Sequence, residues 1–581
     1  MSGQPTLLPK GRQFALTWGL TREFGGMTSA LLRRSRAFAE LAGTPVDILT
    51  FDPRDDYPAI EGDLRETGQL APAVTVRNMW DELTAATDRP SAPAGAKPAA
   101  LARFAPLPAT GGRTVLRHAH DGTLLQLDRH REDGSLALSD RRDTHAHGSL
   151  GGRSIVLCDA AGRPVFGFTR PWPFYHWWLD TVIGDEDSFL IVDSKTTANF
   201  LVDYRNPKAT RVHVMHNSHL AGDRRPGERV KGSRRQVLAR LDDFDAVALL
   251  SERQRDDVRA LLGPSTALQV VSNAAPLPAS PAPTEHDPLL GVMLGSLDGR
   301  KRIGHAVHAV QAVRSRGIGV RLDIYGEGPD RPSLERTIGE LGLGEVVRLK
   351  GFDRSAVSSF ATASFFLLTS TSEGFPLVLA EGMARGALPL SYDVAYGPAD
   401  MIGDGVNGFL VPPGDIAALA DAIERLVALP AEEVLAMRSA AMRAASRFSD
   451  AAVTARWGEV LRQARARHDE PGPAFALRAH SATLERSGDG ITVTADFSLT
   501  GADVSPDGVT AAIALHGPTG EPSGIELRAA GSVRRTLRRR VWRARAEFPA
   551  VDWFPADAAL TGDLELRIGG SLRRAPLSLH S

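Results

Sequence analysis

The sequence predicts an α/β protein with two Rossmann-like domains, a β-rich insertion in the first and a β-sandwich after the second. Three observations carry this. Short apolar runs of strand length alternate with helix-length amphipathic stretches, once from residue 12 to 271 and again from 289 to 464, which is the rhythm of parallel sheets. Between residues 114 and 168 the rhythm changes to short alternating runs with turns at Asp121-Gly122, Asp133-Gly134 and Ala161-Gly162. Beyond Pro471-Gly472-Pro473 alternating strands take over. At 581 residues the chain is too long for one ordinary core. The expected organisation is 1–280, with the β-rich insertion at about 100–170, then 281–468 and 469–581.

In chain order, Arg12-Gln-Phe-Ala-Leu-Thr-Trp18 reads as the first strand. Gly25-Gly26-Met27-Thr28 leads into a helix through Ala42, and Val46-Asp-Ile-Leu-Thr50 closes a βαβ unit. The dinucleotide fingerprint is absent, so NAD is not predicted. A Gly-Gly turn entering a helix still lets a ligand approach the backbone, which makes Gly26 a candidate. After the insertion, Pro171-Trp-Pro-Phe-Tyr-His-Trp-Trp178 is an aromatic cluster expected to be core before it is a sugar platform. Parallel-strand runs follow at 188–193, 211–215, 246–250 and 268–271. His216-Asn-Ser-His219 lies at the exit of the second, the end at which open sheets bind ligands. A Pro-rich linker at 276–288 separates the halves, and the second series runs through 289–294, 321–325, 346–349 and 364–368.

With 68 Lys+Arg against 69 Asp+Glu and a net charge of −1, no global field recruits nucleic acid or an anionic membrane. Any polyanionic partner needs a local basic patch, and the run Arg534 to Arg545 makes one part of the chain strongly basic. The single Cys158 rules out an intramolecular disulfide framework or cysteine-ligated zinc and reads as a buried small hydrophobe. No signal peptide and no apolar run near ~18 residues is visible, so a cytoplasmic protein is expected.

The stretch around which the chain is organised is Ser370-Thr-Ser-Glu373-Gly374-Phe375-Pro376-Leu377-Val378-Leu-Ala-Glu381-Gly-Met-Ala-Arg-Gly386. It reads as a strand end, a tight loop and a helix with Pro376 at its first position and Gly386 at its stop. Backbone N–H groups near Phe375 to Val378 then suit a phosphate or diphosphate. Glu373 in the loop and Glu381 in the helix face different parts of one elongated ligand.

This stretch, followed by Gly405-Val-Asn-Gly-Phe-Leu-Val-Pro-Pro-Gly-Asp415, resembles the E-x7-E region of the retaining family 4 glycosyltransferases of GT-B fold, in which two Rossmann-like domains face a cleft. The resemblance implies that Glu373 sits beside the donor sugar, that Glu381 bonds the ribose, and that the donor-binding loop Gly374, Phe375, Pro376, Leu377 and Val378 borders the diphosphate through its free amides. It places Lys301 at the phosphate-binding lysine. Ser296 stands where the family often has arginine, with Arg300 as its substitute. Gly326 falls in the Gly-x-Gly-Pro turn, and Gly351-Phe352 borders the base. His216 matches the first-domain histidine that bonds the donor sugar, and His219 is a second candidate. Motif order is most similar to the branch that glycosylates wall teichoic acid, a poly(polyol phosphate).

The resemblance thus implies an enzyme with Glu373, His216 and Lys301 as catalytic residues. It would transfer a sugar of the glucose or N-acetylglucosamine class from a nucleotide-sugar, UDP-linked, to a polyanionic or glycan acceptor. No metal and no cofactor is expected, since no Asp-x-Asp motif is suitably placed. Another surface polysaccharide or glycolipid as acceptor, a sugar-nucleotide isomerase, and a silent glycan-binding scaffold are the competing readings. Peripheral membrane association and homo-oligomerisation stay open, and nucleic acid is not an expected partner.

Overall fold

The computed structural model describes residues 6–86, 91–93, 95–108, 111–220, 234, 237–238, 240–262, 265, 267–278, 285–470, 476–487, 490–500, 509–516, 526–535, 541–549, 560–568 and 571–580. They fall into two compact units, Met1–His213 and Val214–Ser581. The expected break at Pro471 to Pro473, and Arg538, Arg539 and Arg540 of the arginine run, lie outside the described residues.

In the first unit, parallel strands Arg12–Leu16, Val46–Thr50 and Val74–Asn78 pair in succession. Ser188–Val192 joins the other side of Arg12–Leu16 and pairs in turn with Ala209–Met215. The sheet grows outward from its first strand in both directions, the doubly wound pattern. The helix Gly26–Ala42 starts from Gly25, and Gly43 ends it in the left-handed region at φ 62°. Arg34 on this helix makes a bidentate ion pair with Asp193, at 2.9 and 2.6 Å, with both side chains almost fully buried.

The insertion is a five-stranded antiparallel meander, Thr114–His118, Leu124–His130, Leu136–Arg141, Ser154–Cys158 and Pro164–Phe168, in that spatial order. Two of its buried carboxylates are matched by guanidiniums, Asp140 by Arg142 and Arg153 and Asp143 by Arg117 and Arg141, while Asp128 accepts from the Leu107 N–H and the Ser139 hydroxyl. The aromatic cluster forms the helix Pro171–Ile183. Phe174, Tyr175 and Trp178 are buried, and Phe51 meets both Tyr175 and Trp178 edge-on, so most of the cluster is core.

The second unit contains a six-stranded parallel sheet in the order Val347–Gly351, Arg321–Tyr325, Asp287–Leu294, Ala363–Leu368, Leu388–Tyr392, Phe409–Val411. That is the 3-2-1-4-5-6 order of a dinucleotide-type fold. Ala363–Leu368 is buried at every residue, as a central parallel strand must be when both faces are covered. Gly291 leaves room for the Phe365 ring, which a Cβ there would meet at 2.3 Å. Asp415 caps the helix Ile416–Ala428 by accepting from the Ala418 N–H.

The C-terminal strands form an all-β domain. They hydrogen-bond in one continuous eight-stranded sheet that runs from Ser571–Leu577 at one end to Leu579–His580 at the other. Its two ends are consecutive in sequence, so the sheet folds over on itself. Val493, Phe497, Ile513, Ala544, Leu564 and Leu566 are buried. The layered packing expected of a sandwich is therefore achieved by one folded sheet.

Candidate active site

The carboxyl ends of four neighbouring strands in the six-stranded sheet supply the site's loops. After Asp287–Leu294 the chain runs through Gly295, Ser296 and Leu297 directly against the turn that follows Arg321–Tyr325. Gly295 N–H donates to Tyr325 O, and Leu297 N–H to Glu327 O. Glycine is required at this crossing: a Cβ at Gly326, where φ is 147°, would lie 1.9 Å from the Gly295 carbonyl oxygen, and one at Gly328 2.4 Å from that of Leu297. Gly326 N–H also donates to Gly351 O, which ties in the third loop, and Phe352 beyond it is exposed.

The fourth loop carries the motif. Past Leu368, the Thr369 hydroxyl donates to the carbonyls of Lys301 and Arg302, and Thr371 N–H donates to Arg300 O. These bonds pin residues 300–302, where Arg302 is the one non-glycine at positive φ (46°) among the described residues. A strained backbone held from two sides is characteristic of ligand sites. Its result is that the Lys301 stem lies over Gly295 and Lys301 Nζ donates to Glu373 Oε1 at 2.7 Å, with the two side chains 15% and 10% exposed.

Ser296 Oγ donates to Asp298 at 2.6 Å, and Arg300 stands 3.6 Å from the same carboxylate. The Ser296 hydrogen bond, ahead of the charge of Arg300, holds the Asp298 carboxyl below its usual range. The residue at the expected arginine position and its proposed substitute therefore converge on one carboxylate.

The Glu373 backbone is fixed in turn. Glu373 N–H donates to Ala395 O at 3.3 Å, and Tyr396 N–H to Glu373 O at 2.9 Å. Gly374 fits beneath the His216 carbonyl, which a Cβ would meet at 2.2 Å, so His216 at its strand exit and the motif loop are in van der Waals contact. His219 stacks on Tyr396, with ring centroids 5.9 Å apart at 12°, and Tyr396 donates its hydroxyl proton to Asp257 at 2.7 Å. Phe375 packs edge-on against Phe448. The following helix, Leu377–Met383, is seven residues long.

Pro376 is the N-cap of that helix instead of its first helical residue: its ψ of 91° is extended, and its ring is held by the close approach of Gly397. Glu381 lies one turn into the helix, half-buried, with its backbone carbonyl accepting from Arg385. Lys301, Glu373, Gly374 and His216 are brought together, and so are Gly326 and Gly351. Gly26 belongs to the first unit, at the start of its first helix. The sequence reading missed Arg302, Tyr396 and Asp257. The positive φ at an arginine has no sequence signature, and the Tyr396–Asp257 bond spans 139 positions.

Residues 280–444 match the family model described as glycosyl transferases group 1. They form a group 1 glycosyl transferase domain. A comparable match is to an exopolysaccharide phosphotransferase of Streptomyces coelicolor, 33% identical over 254 residues, 43% of this chain and 26% of the relative. The poly(glycerol-phosphate) alpha-glucosyltransferase of Bacillus subtilis is 27% identical over 248 residues, 42% of this chain and 36% of that protein. The chain thus spans about a third or less of the length of these relatives. Among solved structures, a variant of S. aureus TarM in complex with Fondaparinux, alpha-GlcNAc-glycerol and UDP superposes with a TM-score of 0.56 at 19% identity, covering 78% of this chain and all of that one. The fold around the group 1 domain is GT-B.

Proposed function

We propose that the chain is a retaining glycosyltransferase that moves glucose or N-acetylglucosamine from a UDP-linked donor to a poly(polyol phosphate) acceptor. Residues 281–468 would bind the donor, 1–280 the acceptor, and 469–581 would serve as an accessory domain. The observation that carries the reading is the Lys301 ammonium held against the Glu373 carboxylate at the carboxyl edge of a doubly wound sheet, inside the group 1 domain.

In this reading the backbone N–H groups of Gly374, Phe375, Leu377 and Val378 and the Lys301 ammonium receive the diphosphate. An ammonium has three donors, so Lys301 can keep Glu373 while reaching a phosphate oxygen. As the bond from the anomeric carbon to the phosphate oxygen breaks, negative charge grows on that oxygen, where a preorganised cation accelerates the step. The acceptor hydroxyl attacks the same face and passes its proton to the departing phosphate. Glu373 and His216 hold the sugar hydroxyls, and Glu381 holds the ribose. Ser296, Arg300 and Gly326 border the phosphates, and Gly351 and Phe352 the base. With Lys301 and amides available to the diphosphate, no metal is needed.

The likeness to the B. subtilis glucosyltransferase and to TarM, whose complex holds UDP and alpha-GlcNAc-glycerol, supports the donor and acceptor class. Among the described residues no helix is long and apolar enough to cross a membrane. The test is incubation of the purified chain with UDP-glucose or UDP-N-acetylglucosamine and poly(glycerol phosphate), with and without chelator, followed by assignment of the product's anomeric configuration. Alpha-linked product in chelator supports the proposal. A beta-linked product, or activity restored only by added metal, refutes the mechanism.

A further inference from the structure

The C-terminal sheet presents a second polar surface, remote in sequence from the motif. Strands Glu526–Arg535, Trp542–Pro549, Gly490–Thr500 and Ala476–Ser487 are consecutive neighbours in it. Side chains alternate between the faces of a strand, and over residues 481–485, 493–497 and 542–548 buried and more exposed positions alternate. Val493, Ala495, Phe497 and Ala544 are buried on the inner face. The outer face is a hydrophilic depression of about 490 Å³.

The pairing register sets its residues in two rows. In the first, Ser481 faces Asp496, Asp496 faces Arg543, and Arg543 faces Arg534. In the second, Thr483 faces Thr494, Thr494 faces Arg545, and Arg545 faces Ser532. Neighbouring strands are about 4.8 Å apart and same-face residues on one strand about 6.8 Å, so the rows form a small lattice with Ser481, Thr483 and Thr494 toward one side and the guanidiniums, with Ser532 among them, toward the other.

The charges are not self-cancelling. Arg543 donates two hydrogen bonds to Asp496, at 2.6 and 2.8 Å, so its guanidinium is committed to that carboxylate. Arg534 is exposed and makes no ion pair among the described residues; the carboxylate whose charge it feels, Asp496, is already engaged by Arg543. Among the described residues Arg545 pairs with Glu547 alone, at 3.3 Å with 57% and 72% of the two side chains in solvent, a contact too exposed to hold the guanidinium. Two guanidiniums thus remain available, beside four hydroxyls and the fixed Asp496–Arg543 pair. A continuous polyanion would meet Asp496 and Glu485 as well as the arginines. A chain alternating phosphates with neutral hydroxylated segments fits both halves.

We propose that this face is a binding subsite for a phosphodiester-linked polyol chain, with phosphates on Arg534 and Arg545 and polyol hydroxyls on the Ser481, Thr483 and Thr494 side. It rests on the proposed acceptor class and extends it: the polymer is held at a point separate from the sugar-transfer site, which raises its effective concentration there.

The test uses the full chain, unmodified and as Arg534→Gln/Arg545→Gln, with Thr494→Val as a second variant. Binding of long poly(glycerol phosphate) is compared with binding of inorganic polyphosphate of matched charge, at low and at about 0.15 M salt. Transfer to long and short acceptors is measured alongside. The double variant is expected to lose roughly three- to tenfold in affinity for the long polymer, as two exposed charge contacts allow, with less loss at higher salt. Its preference for long over short acceptor falls by a similar factor, while short-acceptor turnover is unchanged. Thr494→Val weakens the polyol polymer only. Wild-type affinity in the double variant overturns the subsite, as does equally tight binding of polyphosphate by the unmodified chain. If no polyol phosphate is ever glycosylated but polymer binding still depends on the two arginines, the proposed function fails and the subsite stands. If transfer proceeds and the variants match wild type, the subsite alone fails.

Discussion

Replacing Lys301 by methionine removes an ammonium 2.7 Å from Glu373 Oε1, in a pair whose side chains are 15% and 10% exposed. The carboxylate stays behind, largely desolvated and without its counter-ion. Breaking a fully buried pair from one side costs about 3–5 kcal/mol, and the residual exposure here argues for less, about 2–3 kcal/mol. For a cooperative unit of 150–250 residues that lowers the apparent Tm by about 4–12 °C. The double variant Lys301→Met/Glu373→Gln has no stranded charge and should recover most of the loss, since replacing both partners of a buried pair is often neutral. Turnover should behave differently. Each single variant should lose about two orders of magnitude or more, because a transition-state stabiliser is gone, and the double variant should not regain it. The assay is thermal melting of the three variants beside donor consumption and transfer under saturating donor. Recovery of both stability and turnover in the double variant would show that the pair is purely structural. An unchanged Tm in Lys301→Met would refute the electrostatic argument.

Three further outcomes are expected. Gly374→Ala places a methyl 2.2 Å from the His216 carbonyl oxygen, a backbone atom that cannot swing away; it should cost about 1–3 kcal/mol of stability and at least tenfold in kcat, read by melting and steady-state kinetics. Glu381→Ala should raise the Kd for UDP by about tenfold, the scale of one charged hydrogen bond, and change kcat far less; an unchanged Kd in a calorimetric titration removes the ribose role. Burial, outweighing the opposite effect of the hydrogen bond to the Phe200 carbonyl, keeps the His176 imidazole pKa below its usual value. The unfolded chain therefore takes the proton first. Stability contributed by the neutral imidazole is intact above about pH 6.5 and falls as pH drops through that value, so His176→Gln should flatten part of the Tm decline between about pH 7.5 and 5.5.

Much of this architecture is legible in sequence because it is local. The buried run ending at Leu368, the Asp415 cap and the glycine turns at 326 and 328 each follow from a few neighbouring residues. Lys301 and Glu373 were each visible as candidates, but their direct contact joins positions 72 apart, and no local periodicity encodes such a pairing. The extended ψ of Pro376 has the same origin: local preference favours a helical first residue, and Gly397 pressing on the ring from another loop overrides it. The folded-over sheet at the C-terminus was equally out of reach, because strand alternation reports which face is buried and not which strand lies beside which. The unusual backbone of Arg302 is visible only once Thr369 and Thr371 are seen holding it.

The fit of Gly374 beneath the His216 carbonyl has a practical side for anyone transplanting donor preference between such domains. A graft of residues 370–381 alone would import a loop without its seat, since the seat is a strand exit some 150 positions upstream, further fixed by Gln254 donating to the Asn217 carbonyl and by the ring of His219 on Tyr396. Segments 216–219, 254–257, 370–381 and 395–397 behave as one cassette. Chimaeras that exchange all four together should express as folded catalysts, whereas those that break the set should yield proteins that melt early and turn over poorly whichever parent supplied the motif.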